Sequence, residues 1–358
     1  MSRIILAMSG GVDSSVAAWL LRQAGHEVIG LFMRHGRQEA ATCSTSTVPR
    51  KQGCCSASDA ADARRVAERL EIPFYSINFE QEFDRIIHYF ISEYTSGRTP
   101  NPCIVCNTWL KFGKLVDYAD SIGARQIATG HYARLFQTPN GRLALCRGLD
   151  PAKDQSYVLW GVRPEVLARL QFPVGDYQKE EIRQIADRLG LHRVAEKPDS
   201  QEICFVPDQD HARFIRQNRP PQDTSGEIVT TDGRVVGRHE GIEKFTVGQR
   251  KGLGVAFGEP RYVVRIDPQS REVIVGTKDE LARRELFARG ANWLFPPEQR
   301  FECQVKIRYR SAAVEAIVEM LPGDRFRVEF LEPCYGVAPG QAAVCYRGDE
   351  VLGGGWID

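Results

Sequence analysis

The chain has 358 residues, 42% of them hydrophobic and 26% charged, with a formal net charge of +1. Such a length exceeds one typical core and implies two or three domains of a soluble globular protein, and no apolar run approaches the ~20 residues of a membrane span. The near-neutral charge excludes a global basic field, so any nucleic-acid site has to be a local patch. Ile4 to Met8 is too short for the apolar region of a signal peptide, and Gly10-Gly11 follows at once. A reducing cytoplasmic location is therefore expected. There, ten cysteines argue for thiol chemistry or a metal and against a disulfide framework.

In chain order, Ile4-Ile5-Leu6-Ala7-Met8 reads as a buried strand, Ser9-Gly10-Gly11-Val12-Asp13-Ser14-Ser15 as a turn, and Val16 to Leu21 as a helix. A strand that feeds a glycine turn and then a helix builds an anion site, because the glycines bring the backbone close and the orphan N–H groups and dipole of the helix start point at the anion. No Gly-Lys-Ser/Thr closes the segment, so it is not a Walker loop, and it lacks the dinucleotide Gly-x-Gly-x-x-Gly. It resembles the PP-loop of the ATP pyrophosphatases, which implies a grip on the pyrophosphate of ATP and transfer of AMP to a substrate oxygen. The bland alternative is an ordinary helix N-cap, a position that Asp and Ser suit anyway.

Val28 to Met33 is a second buried-strand run. Ala57 to Leu70 has helical spacing (Ala60, Ala63, Val66, Ala67, Leu70), with Asp59 and Asp62 in the first turn. Pro73 to Phe79 is strand-like, Phe83 to Tyr94 and Leu115 to Ile122 are helical, and Gln126 to Thr129 is another strand. This alternation implies a mostly parallel sheet with helices on both faces, whose ligands sit beyond the carboxyl ends of the strands. Ser9, Met33 and Gly130-His131-Tyr132 all lie at such ends and converge on one cleft.

Helical signal fades after about Phe214, and Pro220 to Gly226 is a turn-rich linker. Beyond it, short runs alternate with Gly, Pro and Asp turns: Arg261 to Ile266, Glu272 to Val275, Cys303 to Ile307, Ala313 to Val318, Arg325 to Phe330 and Ala342 to Cys345. Many short strands with regular turns suggest small β domains or barrels. The expected plan is α/β: a PP-loop (adenine nucleotide alpha hydrolase-like) parallel-sheet domain over residues 1–215, a small central β domain over 216–275, and a C-terminal β-barrel over 276–358.

Adenylation needs only the ATP site, and the cysteines suggest that sulfur replaces the AMP. Asn101-Pro102-Cys103-Ile104-Val105-Cys106-Asn107 places two thiols three apart in a loop opened by Gly97 to Pro100, and Asn107 could cap the helix that follows, where a helix start would depress a thiol pKa. A third cysteine lies in Asp199 to Phe205, at Cys204. By spacing alone, Cys-x-x-Cys is open among redox, zinc, iron–sulfur and plain core roles.

Further blocks make a closer resemblance. Met8 to Ser15, Gly97 to Pro102, Ala128 to Tyr132, Lys153 to Tyr157, Ile203-Cys204-Phe205, Gly248 to Gly254, Arg308-Tyr309-Arg310 and Leu352 to Gly355 resemble, in order along essentially the whole chain, the tRNA-specific 2-thiouridylases. That family thiolates C2 of the wobble uridine in certain tRNAs. The resemblance implies that Ala7, Met8, Ser9, Gly10, Gly11, Val12, Asp13 and Ser14, with Met33 and Gly130, surround ATP. It implies that Asn101, Pro102 and Cys103 lie against the target base, that Cys106 is the nucleophile, and that Cys204 carries persulfide sulfur, the two cysteines forming a disulfide between turnovers. His131, Lys153, Asp154, Gln155, Arg308, Tyr309 and Gln341 are the implied tRNA contacts. The partners are a tRNA anticodon loop and a persulfide or sulfide donor protein, with no membrane and no DNA.

The chemistry agrees with that assignment. A uridine carbonyl is a poor electrophile, so its O2 is first made a phosphate ester; Mg²⁺ and the N–H groups of Gly10 to Ser14 would stabilise charge building on pyrophosphate. Asp13 could hold that metal through water, or serve only as a helix-start charge. Thiolate is needed at each sulfur transfer, and extruding the base costs on the order of a few kcal/mol. One position departs from the pattern. Many members of the family carry Asp where this chain has Cys103, so Cys103, Cys106 and Cys204 form a three-thiolate set that could ligate a [4Fe–4S] cluster in place of the preferred persulfide relay.

The remaining candidates have simpler readings. Cys54-Cys55 sit in a polar insert from Thr42 to Ser58, more in keeping with a loop of exposed thiols than with a sulfur acceptor. Cys146, Cys303 and Cys345 are expected in the core, and Cys334 in a turn without a role. His131 could be a base or only a hydrogen-bonding group. Arg283, Arg284, Arg289, Arg300, Lys306, Arg308 and Arg310 form a basic run, either solvated or phosphate-binding, with Tyr309 able to stack on a base. The competing functions are a PP-loop ligase for a small molecule, which needs no thiols, and a non-catalytic RNA-binding protein ordered by ATP.

Overall fold

The computed structural model describes residues 2–34, 57–199, 203–206 and 210–358. Two compact units divide the chain: residues 1–86 with 103–209, and 87–102 with 210–358.

The first unit is built on a parallel sheet. β1 (Arg3–Ala7), β2 (Glu27–Arg34), β3 (Phe74–Asn78), β4 (Gln126–Thr129) and the short β7 (Leu170–Gln171) lie in the order β3-β2-β1-β4-β7. Ile4, Ile5 and Leu6 are fully buried, as a central parallel strand covered on both faces requires. Ala7 registers with Leu31 of β2 on one side and Thr129 of β4 on the other, so β1 and β4 end together while β2 runs on to Arg34. The helices are α1 (Val12–Gln23), α2 (Ala57–Arg69), α3 (Glu80–Thr95), which crosses into the second unit, α4 (Pro102–Val105), α5 (Leu115–Ser121), α6 (Lys179–Arg188) and α7 (His192–Ala195). Val16, Ala17 and Leu21 of α1, Ala63, Val66 and Ala67 of α2, and Ile182 and Ile185 of α6 form one apolar core with the strands. A hairpin of β5 (Ala133–Gln137) and β6 (Leu143–Arg147) turns through Asn140-Gly141, with Gly141 at φ 81°.

After residues 87–102, the second unit continues with α8 (His211–Gln217). β8 (Gly226–Thr230), β9 (Val235–His239), β10 (Tyr262–Asp267) and β11 (Glu272–Gly276) form a four-stranded sheet in the order β10-β11-β8-β9. After the single turn α9 (Lys278–Leu281) come β12 (Ala282–Trp293), β13 (Arg300–Lys306), β14 (Val314–Leu321), β15 (Arg325–Tyr335), β16 (Ala342–Arg347) and β17 (Glu350–Ile357). These six are antiparallel in the order β12-β15-β14-β13-β16-β17, and β12 pairs with β17 to close a barrel. Its interior holds Phe301, Cys303, Val305, Phe326, Val328, Phe330 and Cys345. A Cβ on Gly355 would lie 2.7 Å from the Phe326 ring, so the glycine run before Trp356 leaves the space that the ring fills.

The architecture matches the α/β plan with two β-rich parts. Cys334 corrects one expectation: it is a buried residue of β15 and not a turn residue, because the strand runs on past Pro333, and burial pushes its thiol up to about 11. Cys146, Cys303 and Cys345 are buried strand residues. Among the described residues no helix is long and apolar enough to cross a membrane. Cys54 and Cys55 lie outside the described residues.

Glu243 is a buried acid in the second unit, receiving Arg216 at 2.7 Å, Thr224 at 2.6 Å and the nearly buried Arg219 at 3.5 Å. Glu243→Ala strands Arg219 and is expected to cost about 3–5 kcal/mol. The readout is an earlier transition in urea unfolding; an unchanged midpoint would show that the arginines are satisfied without it.

Candidate functional site

The site is assembled where β1 and β4 end, beside the longer β2. The chain leaves Ala7 through Met8 and Ser9, and Gly10 takes φ 73°, a left-handed conformation that L side chains resist. A Cβ there would also fall 2.3 Å from the backbone oxygen of Asp59. Gly11 starts α1 with no side-chain cap, so the first N–H groups of the helix are left to an anion. The hydroxyls of Ser14 and Ser15 donate to the Gly11 carbonyl at 3.2 and 2.8 Å, and the Ser9 amide donates to Ser14 Oγ at 3.1 Å, which fixes the turn. From the neighbouring strand, a Cβ on Gly130 would lie 2.8 Å from the Ser14 nitrogen and 2.9 Å from the Asp13 carbonyl carbon. Only glycine lets the end of β4 come that close. These features fit a triphosphate: backbone donors, room without side chains, and a positive dipole end. Met33 lies in β2 one residue before its end.

Charged side chains that sequence reasoning missed complete the cradle. Lys197 Nζ donates to the Gly10 carbonyl at 3.0 Å and pairs with Asp59 at 2.8 Å and Asp62 at 2.5 Å. Lys179 Nζ sits 2.7 and 2.8 Å from the two Asp13 oxygens and 3.0 Å from Asp199. The Tyr132 hydroxyl donates to Asp13 at 2.7 Å. Burial works against ionisation of Asp199, yet hydrogen bonds from Lys153 and Lys179 hold its carboxyl below the usual range. Asp13, the candidate metal-holding acid, thus already has both oxygens engaged. The partners of Asp13 lie 119 and 166 positions from it, and Lys197 lies 187 positions from Gly10, separations at which pattern reading has no purchase.

The thiols are placed differently from expectation. Residues 102–121 are continuously helical, with Cys103 in the first turn, and Cys106 opens the wide π-helical turns Cys106–Lys114, in which the Leu115 amide reaches back to the Leu110 carbonyl. The reason is Pro102. A proline at the first helical position, where its missing N–H costs nothing, starts the helix before the cysteines. Asn107 is therefore not a cap: it is buried, and its Nδ2 donates to the Val158 carbonyl at 3.2 Å. The helix-start argument attaches to Cys103, which is exposed, and not to the half-buried Cys106. Cys103, Cys106 and Cys204 belong to the same unit as the cradle. Among the described residues, however, no three His, Cys, Asp or Glu side chains form a group that could hold a metal ion, so the three thiols do not fit an iron–sulfur cluster as arranged.

The candidate tRNA contacts make bonds within the chain. Lys153 pairs with Asp199 at 2.6 Å. Asp154 is buried and accepts from the Gly148 and Ser156 amides, and Gln155 Oε1 accepts from the Tyr132 amide at 3.0 Å. His131 is buried against Phe112 and Phe172, with Thr129 Oγ1 2.7 Å from Nδ1; burial and then Lys111 push its pKa well below 6.5, so it stays neutral. Arg308 donates to the carbonyls of Gly336 and Val247, and Lys306 lies over the Tyr309 ring. Gln341 donates to the carbonyls of Thr99 and Pro100 at 3.0 and 3.3 Å, fixing the turn that leads into Asn101 and Pro102.

Gly130→Ala forces a methyl group onto the backbone of the cradle, an overpacking of about 1–3 kcal/mol. Calorimetric titration should find ATP binding weakened along with thermal stability; natural affinity in this variant would show that the strand end does not border the nucleotide.

Family models match in three stretches: tRNA methyl transferase HUP domain at residues 2–208, tRNA methyl transferase PRC-barrel domain at 212–277, and Aminomethyltransferase beta-barrel domain at 283–357. The chain is 51% identical over 386 residues to tRNA-specific 2-thiouridylase MnmA of Rhodopirellula baltica, covering 100% of this chain and 96% of that protein. It is 51% identical over 358 residues to the protein of the same name from Geotalea uraniireducens, covering 99% and 95%. It is 46% identical over 360 residues to that of Carboxydothermus hydrogenoformans, covering 99% and 97%. Identity of 46–51% along essentially the full length of each chain leaves one conclusion: the chain belongs to the tRNA-specific 2-thiouridylase family.

Proposed function

We propose that the protein is an ATP-dependent tRNA sulfurtransferase that replaces O2 of the wobble uridine with sulfur, releasing AMP and pyrophosphate, in the cytoplasm. The observation that carries this reading is the uncapped start of α1, an anion cradle in the same compact unit as Cys106 and Cys204. Uridine O2 attacks the α-phosphorus of ATP, the bond to the bridging oxygen breaks, pyrophosphate leaves with the electron pair, and the N3 proton passes to solvent. Backbone N–H groups at the start of α1 and the ammonium groups around it stabilise the leaving pyrophosphate. Magnesium, when bound, supplies charge neutralisation on the phosphates.

The terminal sulfur of a persulfide on Cys204, loaded by a donor protein, then attacks C2 and AMP leaves. The Cys106 thiolate attacks Cys204 Sγ, the S–S bond breaks, thiouridine is released, and a Cys106–Cys204 disulfide remains for a two-electron thiol reductant to reopen. Gly10, Gly11, Asp13 and Ser14 serve ATP; Asn101, Pro102 and Cys103 serve the base. No step is assigned to an iron–sulfur cluster, for which the donor set is not assembled.

The test is mass analysis of tRNA nucleosides after incubation with ATP, magnesium and a persulfide-bearing sulfur donor protein. 2-Thiouridine is expected from the natural chain and not from Cys106→Ser or Cys204→Ser with the persulfide donor, while both variants still bind ATP. A methylated uridine, or full activity in both serine variants, would contradict the sulfur relay and favour methyl transfer or a ligase.

A further inference from the structure

We propose that Lys179 is a phosphate-binding residue of the adenylation step: its ammonium, shared between Asp13 and Asp199, exchanges these two carboxylates for the β- and γ-phosphates of ATP. This inference rests on the ATP-dependent reading above and adds a residue to it.

The placement comes first. Asp13 is the second residue of α1 and Lys179 the first of α6, and the two helices pack together. Their ammonium–carboxylate pair therefore lies where two helix starts meet, a region whose dipoles favour an anion. The Lys179 side chain is only 10% exposed and also lies over the Tyr132 ring, 5.6 Å from its centre, so its position is well defined.

The second point is which cation can be handed over. Asp199 also receives Lys153 at 2.6 Å and Arg183 at 2.7 Å, so it stays neutralised when Lys179 departs. Asp13 keeps the Tyr132 hydroxyl and faces outward, with 31% of its side chain exposed. The other acid nearby, Asp150, is occupied with the backbone amides of Lys179 and Ala152. Lys197 is different. It ties the Gly10 carbonyl to Asp59 and to Oδ2 of the buried Asp62, whose Oδ1 also receives Arg65 and Arg193, so it is part of what holds the turn in place. Of the two lysines that bond the cradle, Lys197 is thus a fixed strut, and Lys179 is the one that transfers.

The chemistry follows. As the bond from the α-phosphorus to the bridging oxygen breaks, negative charge grows on pyrophosphate, and the Lys179 ammonium neutralises it without giving up a proton. Asp199 competes with the phosphates for the same ammonium, so its removal should favour ATP.

The test is equilibrium titration of the full-length chain with magnesium-ATP and no tRNA. Lys179→Met should weaken binding by about tenfold or more, the loss of one charge-assisted contact. Asp199→Asn should tighten it by about threefold in the natural background and leave it unchanged in the Lys179→Met background, because the two residues act on one equilibrium. Natural affinity in Lys179→Met, or equal tightening by Asp199→Asn in both backgrounds, would overturn the proposal. Lys179→Gln and Asp199→Ser replace either variant that does not fold. Since tRNA is absent, this pattern and the thiouridine product fail separately: the affinities test the lysine, the nucleoside analysis tests the reaction.

Discussion

The closeness of two backbone segments governs this site. The end of β4 meets the first turn of α1 so tightly that a single methyl at Gly130 would collide with the Ser14 nitrogen and the Asp13 carbonyl carbon. On the other side of the turn, Gly10 leaves no room between itself and Asp59. Pinned from both directions, the start of α1 presents N–H groups that no side chain caps. An anion-binding dipole is useful only if it is held still, and here packing of the backbone does the holding. Charge then adds a second level of control: Lys197 ties the Gly10 carbonyl to Asp59 and the buried Asp62 of α2, while Lys179 and Tyr132 hold Asp13.

The sulfur-bearing part obeys different rules. Cys106 lies inside a continuous helical stretch, at the point where the winding widens into π-helical turns. Such wide turns leave backbone groups in positions that an α-helix would not allow, and they are frequent at functional sites. Asn107, buried and bonded to the Val158 carbonyl, anchors the helix beside Cys106. In the second unit, Gln341 grips the Thr99 and Pro100 carbonyls and so defines the entry to Asn101-Pro102.

Much of this was legible in the sequence because it is local. The buried run Ile4 to Met8, the glycine turn and the helical spacing of Ala63, Val66 and Ala67 each declare their element within a few residues. Local punctuation also misled. Pro100-Asn101-Pro102 reads as a loop, yet Pro102 is a helix-starting proline, and that one choice shifts Cys106 from a helix start to a helix interior. Pro333 reads as a turn, but β15 continues to Tyr335 and buries Cys334. The ion pairs of the cradle had no local signal at all: Lys179 and Asp13 are 166 positions apart, and only the fold makes them neighbours. Lys153, Asp154 and Gln155, the tRNA contacts that the resemblance implies, are also bonded within the chain, to Asp199, Ser156 and Tyr132, which spacing alone did not announce.

Activation of the base at its own oxygen is tested most directly by following that oxygen. A tRNA carrying a heavy-oxygen label at O2 of the wobble uridine is converted in a single turnover, and the phosphorus-containing products are analysed by mass. Attack of O2 on the α-phosphorus places the label in AMP as sulfur enters the base. Label remaining in the tRNA, or appearing in pyrophosphate, would contradict adenylation at uridine O2.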